Sequence, residues 1–316
     1  MIAFLARRLA GLALTLLVAA GLIFALLDLL PGDPARFILG VNARPDTVAA
    51  LRSQMGLDLP ALERCGLWIT GMLRGDFGQS YTQGAPVAAL IAERLWVTVP
   101  LTALAMLLSM ALGLPLGIFA ARRRGSPADT ALMVLAQAGI AVPNFWFGML
   151  LVLVFAVGLR WLPPGGFTPW QENPAAAFGG LVLPSLALAL PQAAILARVM
   201  RTALVEVQGQ DFIRTARAKG LTEGEAIRRH GLRNAFLPVL TILGLQFAFL
   251  IAGTVIVENV FYLPGLGRLI FTAISERDLV LVRGAVIVLV IAVTATMFLV
   301  DLLYAAIDPR LRTASR

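Results

Sequence analysis

The chain has 316 residues, of which 59% are hydrophobic and only 14% charged, with a formal net charge of +8. Soluble domains carry about 25% charged residues, so this composition, with a mean hydropathy of +0.85, excludes an ordinary water-soluble globule and places the bulk of the chain in lipid. One cysteine, Cys65, and one histidine, His230, exclude an intrachain disulfide and a Cys/His metal site within one chain.

Charge-free stretches predict an all-α polytopic membrane protein with six spans. The first, Leu9 to Leu30, is interrupted only by Asp28 and follows Arg7 and Arg8. Its apolar run exceeds the about 7 to 15 residues of a signal-peptide core, and no small-x-small cleavage site precedes Pro31, so it reads as a retained anchor. From Pro31 to Arg94, repeated Pro and Gly break the chain into a small external cap, with short helices expected at Thr47 to Met55, capped by Asp46, and at Leu62 to Leu73. Leu95 to Ala121, Thr130 to Leu159, Asn173 to Ala197 and Asn234 to Val257 carry no charge, and Gly284 to Val300 continues past Asp301 to Ile307. Each reaches the roughly 17 residues needed to cross a hydrocarbon core. The expected division is 1–94, first span plus extracytoplasmic cap, and 95–316, a five-helix core with a cytoplasmic loop at 206–238.

Polar groups within spans are few: Gln137, Asn144, Gln192 and Gln246, with Asp28 and Asp301 near span ends. A mid-span carboxylate costs at least about 2.5 kcal/mol, and none is paired with a base at mid-depth, which speaks against an ion-coupled carrier. Pro100, Pro115, Pro143, Pro184 and Pro191 fall inside spans, where neighbouring helices can satisfy the freed carbonyls. Outer loops are expected at 160–172 and 258–283. Placing both termini inside puts 16 basic and seven acidic residues on the inner side, in line with the positive-inside rule.

The basic interruption from Gln210 to Pro238 lies on that inner side. Asp211 reads as an N-cap, Phe212, Thr215, Ala216 and Lys219 follow at helical spacing, and Gly220 suits the left-handed closing position. Thr222 with Glu225 three residues on is a capping box opening a second helix through Ile227 and Arg229 towards Phe236, with Pro238 beginning the next span. The charge itself serves topology and anionic lipid. Lys219 is not preceded by the spaced glycines of a GxxxxGK[ST] loop, and no HExxH or GxSxG motif is present, so no enzymatic activity is expected of the chain.

TARAKG, from Thr215 to Gly220, followed by RRHGLRNAFLP, from Arg228 to Pro238, resembles the cytoplasmic signature loop of ABC-importer permeases, specifically the B-type subunit of the dipeptide, oligopeptide and nickel branch. The resemblance spans nearly the whole chain: PGDP at Pro31 to Pro34, GLDLP at Gly56 to Pro60, GDFGQS at Gly75 to Ser80, PNFWFG at Pro143 to Gly148, ENVFYLPGLGR at Glu258 to Arg268 and DLLYAAIDPRLR at Asp301 to Arg312. Thr215-Ala216-Arg217 stands where the general motif begins Glu-Ala-Ala, a departure usual in the peptide branch.

The resemblance implies an ABC type I importer permease fold in a bacterial inner membrane. It implies a coupling helix in which Asp211, Arg214, Thr215, Ala216, Lys219 and Gly220 dock on an ATPase subunit. The implied partners are a second homologous permease subunit, two ABC ATPases that bind ATP and Mg, an extracytoplasmic binding protein and membrane lipid; no cofactor in this chain and no nucleic acid are implied. Asn144, Gln192 and Gln246 are expected to line the pathway, and Glu258, Asn259 and Tyr262 to reach towards the binding protein. Peptide or glutathione is the leading cargo, with a nickel chelate or metallophore as the alternative. An ion-coupled secondary transporter and a non-transporting scaffold are the rivals of other classes.

Overall fold

The computed structural model describes residues 2–29, 33–40 and 43–307. Pro31 and Gly32 of the PGDP motif, and Asp308 to Arg312 of the C-terminal motif, lie outside them. Among the described residues the fold is helical, with no named strand and one isolated bridge between Gln79 and Pro86. Five helices are long and apolar enough to cross a membrane: α1 (Ile2–Asp28), α5 (Val87–Arg122), α8 (Pro174–Gln208), α11 (Leu232–Val260) and α13 (Leu279–Ile307).

The stretch expected as one span, Thr130 to Leu159, is instead broken. α6 (Pro127–Ala141) and α7 (Asn144–Leu151), which runs on as a π-helical turn Val152–Gly158, meet at a bend of 102°. Val142 is extended at φ −87, ψ 126, as a residue before proline prefers, and Pro143 has no N–H to continue the ladder. Counted together the pair makes a sixth span. Pro100, Pro115, Pro184, Pro191 and Pro238 stay inside continuous helices.

The chain divides into two compact units, Met1–Thr98 with Pro264–Phe298, and Val99–Leu263 with Leu299–Arg316. Residues 264–298 thus pack with the N-terminal part. The reason is a shared apolar core of Val87, Ile91, Leu266, Leu269, Ile270 and Leu281, closed where Gly284 lies so near Val87 that a Cβ would come within 2.6 Å of its methyl.

In this first unit Asp33 caps α2 (Pro34–Leu39), accepting from Ala35 N at 3.0 Å, and accepts from Arg52 at 2.9 Å. Burial pushes the Asp33 carboxyl up, but these bonds outweigh it and hold the group below its ordinary 3.8. α3 (Pro45–Gln54) starts two residues earlier than expected: Arg44 is the N-cap, Pro45 occupies the first turn, and Asp46 is a first-turn acid and not the cap. α4 (Ala61–Leu73) matches its expectation. The stretch read as an outer loop from 258 to 283 contains α12 (Leu266–Ser275), whose Leu266 N–H donates to Thr98 Oγ1 at 2.8 Å. The buried Asp278 carboxylate then accepts from Ser80 Oγ (2.6 Å), Thr82 Oγ1 (2.9 Å) and Leu281 N (3.0 Å), pinning the start of α13.

In the second unit, α5 and α8 approach through small residues. A Cβ on Gly113 would sit 2.6 Å from Ala193 O, and one on Gly117 2.5 Å from Ala197 O. Only glycine permits this backbone contact, which replaces the hydrophobic drive that lipid removes. Asp129, at the start of α6, is clamped by Arg201 of α8 through two hydrogen bonds of 2.5 and 2.6 Å and by the Gly125 N–H.

Candidate functional site

α8 ends at Gln208, and after two intervening residues α9 (Asp211–Ala218) begins. Its N-cap is Gln210, without a side-chain bond, so Asp211 is the first helical residue and not the cap expected for it. There its charge favours the positive helix end, and it accepts from Arg214 at 3.2 Å. Both side chains are exposed, so this pair contributes at most a few tenths of a kcal/mol. α9 closes as expected, with Lys219 at the C-cap and Gly220 at φ +93. A side chain at Gly220 would meet nothing within 4 Å, so the glycine is required by backbone conformation and not by space.

Thr222 and Glu225 form the expected capping box at the head of α10 (Glu223–Ala226): Glu225 accepts from Thr222 N at 3.0 Å, and Glu225 N donates to Thr222 Oγ1 at 3.4 Å. The following chain departs from expectation. A π-helical turn, Ile227–Gly231, joins α10 directly to α11, so the second short helix and the next span are one rod and Pro238 interrupts nothing. The buried Gly231 in that turn packs 3.4 Å from Val207 Cγ1 of α8, measured from where its Cβ would be.

α9 is two-sided. Ile213 and Ala216 are buried in a small core with Ala226, Val207 and Leu221. Ala216, expected at the partner contact, turns its methyl inwards in the single chain, where it serves the packing of α9 on α10. Asp211, Arg214, Thr215, Lys219 and Gly220 remain on the exposed side. Phe212, 41% exposed on the same helix, is the large apolar group that sequence reasoning left out of the contact set. Its signal was available, since an aromatic on the outward side of a short polar helix has no core to fill.

The expected pathway residues gather in the second unit on α7, α8 and α11. Gln246 is 2% exposed and donates Nε2 to the Gln192 carbonyl at 2.9 Å. The Oε1 atoms of both glutamines are buried without a hydrogen-bond partner among the described residues. The pair thus sits between α8 and α11 and not on an open face of this chain. Asn144 starts α7, with Nδ2 3.3 Å from the place a Cβ would take on Gly253. That is two turns, or about 10 Å, along α11 from Gln246. Of the three residues expected at the binding-protein side, Glu258 is fully buried in the last turn of α11, Asn259 donates to Val255 O at 2.7 Å, and Tyr262, left-handed at φ 54, is exposed.

The model of the family described as "Binding-protein-dependent transport system inner membrane component" matches residues 113–313, and the model of the corresponding N-terminal membrane component matches residues 1–102. A relative from Brucella abortus named as a peptide transport system permease protein is 43% identical over 312 residues, covering 99% of both chains. Glutathione transport system permease protein GsiC of Salmonella typhimurium is 42% identical over 312 residues, again 99% of each. Among solved structures, inward-facing conformations of the MetNI methionine ABC transporter superpose with a TM-score of 0.55 at 18% identity, covering 69% of this chain and 96% of that one.

Proposed function

The chain belongs to the family of binding-protein-dependent transport system inner membrane components, and we propose that the cargo it passes is a peptide of the di-/oligopeptide or glutathione type. It is a transmembrane permease component of an ABC importer, working with ATPase and substrate-binding partners. The cargo reading is carried by one observation: near-full-length identity of 42–43% to permeases named for peptide and for glutathione. Thermal-shift screening of the cognate binding protein against dipeptides, oligopeptides, glutathione and nickel chelates tests it. Stabilisation by a nickel chelate alone overturns it.

In the same reading the pathway is completed by a second, non-identical permease subunit, and both termini are cytoplasmic. ATP and Mg are bound and turned over by the ATPases, and this chain hydrolyses nothing. Asp211, Phe212, Arg214, Thr215, Lys219 and Gly220 form the ATPase-docking side of α9. When the ATPases close, α9 moves with them, and its two exits carry the motion into the spans: Gly209 into α8, and Gly220 with the capping box into the continuous α10–α11 rod. Gln192 and Gln246 hold α8 and α11 in register at the level of the pathway. Replacing Gly220 with Trp forces a side chain into a conformation that costs about 1–2 kcal/mol and distorts the exit of α9. Substrate-stimulated ATP hydrolysis by the reconstituted assembly should then fall at least about tenfold, which corresponds to a coupling loss of 1.4 kcal/mol; unchanged stimulation sinks the coupling role.

A further inference from the structure

A cavity of about 430 Å³ lies in the first unit where α1 ends, walled by the end of α1, the turns around α2 to α4 and the start of α13. Arg52, Arg64, Arg277 and Arg283 line it, against only two carboxylates, Asp28 and Asp33. Those carboxylates are taken. Both oxygens of Asp28 accept from Arg64, at 2.7 and 3.1 Å, and Asp33 accepts from Arg52 at 2.9 Å.

Arg283 is held differently. Its guanidinium carbon stands 4.9 Å from the centre of the Phe24 ring and 5.4 Å from that of Trp68, two rings 6.4 Å apart whose faces attract a cation without neutralising it. Its Nε is buried and makes no hydrogen bond among the described residues, and neither does the buried Nε1 of the adjoining Trp68. Two buried N–H donors without acceptors among the described residues, one on Arg283 of the cavity wall and one on the Trp68 packed against it, suit an anionic acceptor beside carboxylates that are already engaged. Arg277, 5.1 Å over the Phe37 ring, adds a further positive charge to the same wall.

The surroundings select the kind of anion. Leu27, Leu59, Leu67 and Leu279 share the lining with the guanidiniums. Within two turns of Asp28 on α1, Leu22 and Leu26 present exposed apolar side chains. A ligand with a phosphate at the level of Arg283 and acyl chains along α1 meets both surfaces, whereas a free inorganic anion uses only one. We infer that this cavity binds the headgroup of an anionic phospholipid from the leaflet at the Asp28 end of α1, with Arg283 as the principal phosphate ligand. The site rests on the membrane-spanning fold alone and not on the peptide reading.

Native mass spectrometry of the full-length chain in neutral detergent tests it, by titrating phosphatidylglycerol and phosphatidylcholine with identical acyl chains and inorganic phosphate as competitor. Phosphatidylglycerol is expected to bind at least about tenfold more tightly, the scale of one charge-assisted contact. Arg283→Gln should bring the two lipids to parity, and Trp68→Phe, which removes the indole N–H and part of the ring volume while keeping an aromatic face, should reduce the preference roughly threefold. Where Arg283→Gln does not remain monodisperse, Trp68→Phe and Arg277→Gln carry the same readout. Equal binding of the two lipids, or a preference untouched by all three variants, overturns the inference. Full displacement of phosphatidylglycerol by millimolar phosphate would make this a free-anion site and overturn the lipid assignment.

Discussion

α8 and α13 are both long apolar helices, yet 72% of the most apolar stretch of α8 is buried within the chain and only 6% of that of α13, although α13 is the more apolar of the two. In water that order would be inverted. In lipid, apolarity does not drive one helix onto another, because acyl chains are as good a partner as leucine. What draws α8 inwards is smallness and polarity: Ala193 and Ala197 receive Gly113 and Gly117, Gln192 receives Gln246, and Arg201 receives Asp129. α13 is fastened chiefly at its start, where Asp278 gathers Ser80, Thr82 and Leu281.

The largest test of this contrast is the Asp129–Arg201 clamp. Asp129→Asn removes the charge from a nearly buried carboxylate and leaves Arg201 without its partner, which should cost roughly 3 kcal/mol, the lower end for a buried pair because a quarter of the Arg201 side chain is still exposed. The melting midpoint in detergent should fall accordingly, and an unchanged midpoint would mean that α8 is held by packing alone. Next comes Gly117→Leu, which drives atoms into Ala197 O and should cost about 1–3 kcal/mol or prevent accumulation. Gly21→Leu on α1, where a Cβ meets nothing within 4 Å, is the matched control and should change the midpoint little. Equal damage at the two glycines would break the comparison.

A smaller effect is expected in the cap, away from the spans. The Asp33 carboxyl sits below its ordinary 3.8, so its pairing with Arg52 contributes stability that is complete above that value and is lost as the pH falls through the folded-state value. The difference in midpoint between the wild type and Asp33→Asn should therefore shrink on acidification from about pH 5 to pH 3. A difference independent of pH would show that the Asp33 side chain acts by shape, as the cap of α2, and not by charge.

How much of this was legible in the sequence follows from the same contrast. Apolar runs located the long helices, because the backbone must satisfy itself in lipid whatever the tertiary contacts are. Gly220 and the Thr222–Glu225 box were legible because caps are local chemistry. The break at Val142–Pro143 was not, since five other prolines lie in unbroken helices and the difference depends on whether neighbours can take up the freed carbonyls. The inward turn of Ala216 was equally hidden: an alanine docks on a partner or on α10 with the same sequence, and only the position of Ala226 decides. The union of 264–298 with the N-terminal part was hidden because it rests on side chains about 180 positions apart, Val87 and Leu266 among them.

The smallest expected effect is the one that decides what surrounds α1. Leu26 is 66% exposed in the single chain and Leu204 of α8 only 1%. Leu204→Ala opens a cavity in a packed core and should cost about 2–5 kcal/mol. Leu26→Ala exchanges one lipid-facing group for a smaller one, and acyl chains fill the space without leaving a void, so its cost should stay within about 0.5 kcal/mol. Measured in the isolated chain, both values test the packing seen here. Measured again in the assembled importer they separate two meanings of exposure: if Leu26→Ala becomes costly only in the assembly, the face of α1 is covered by another subunit, and its low burial reflects a missing protein partner and not a lipid one.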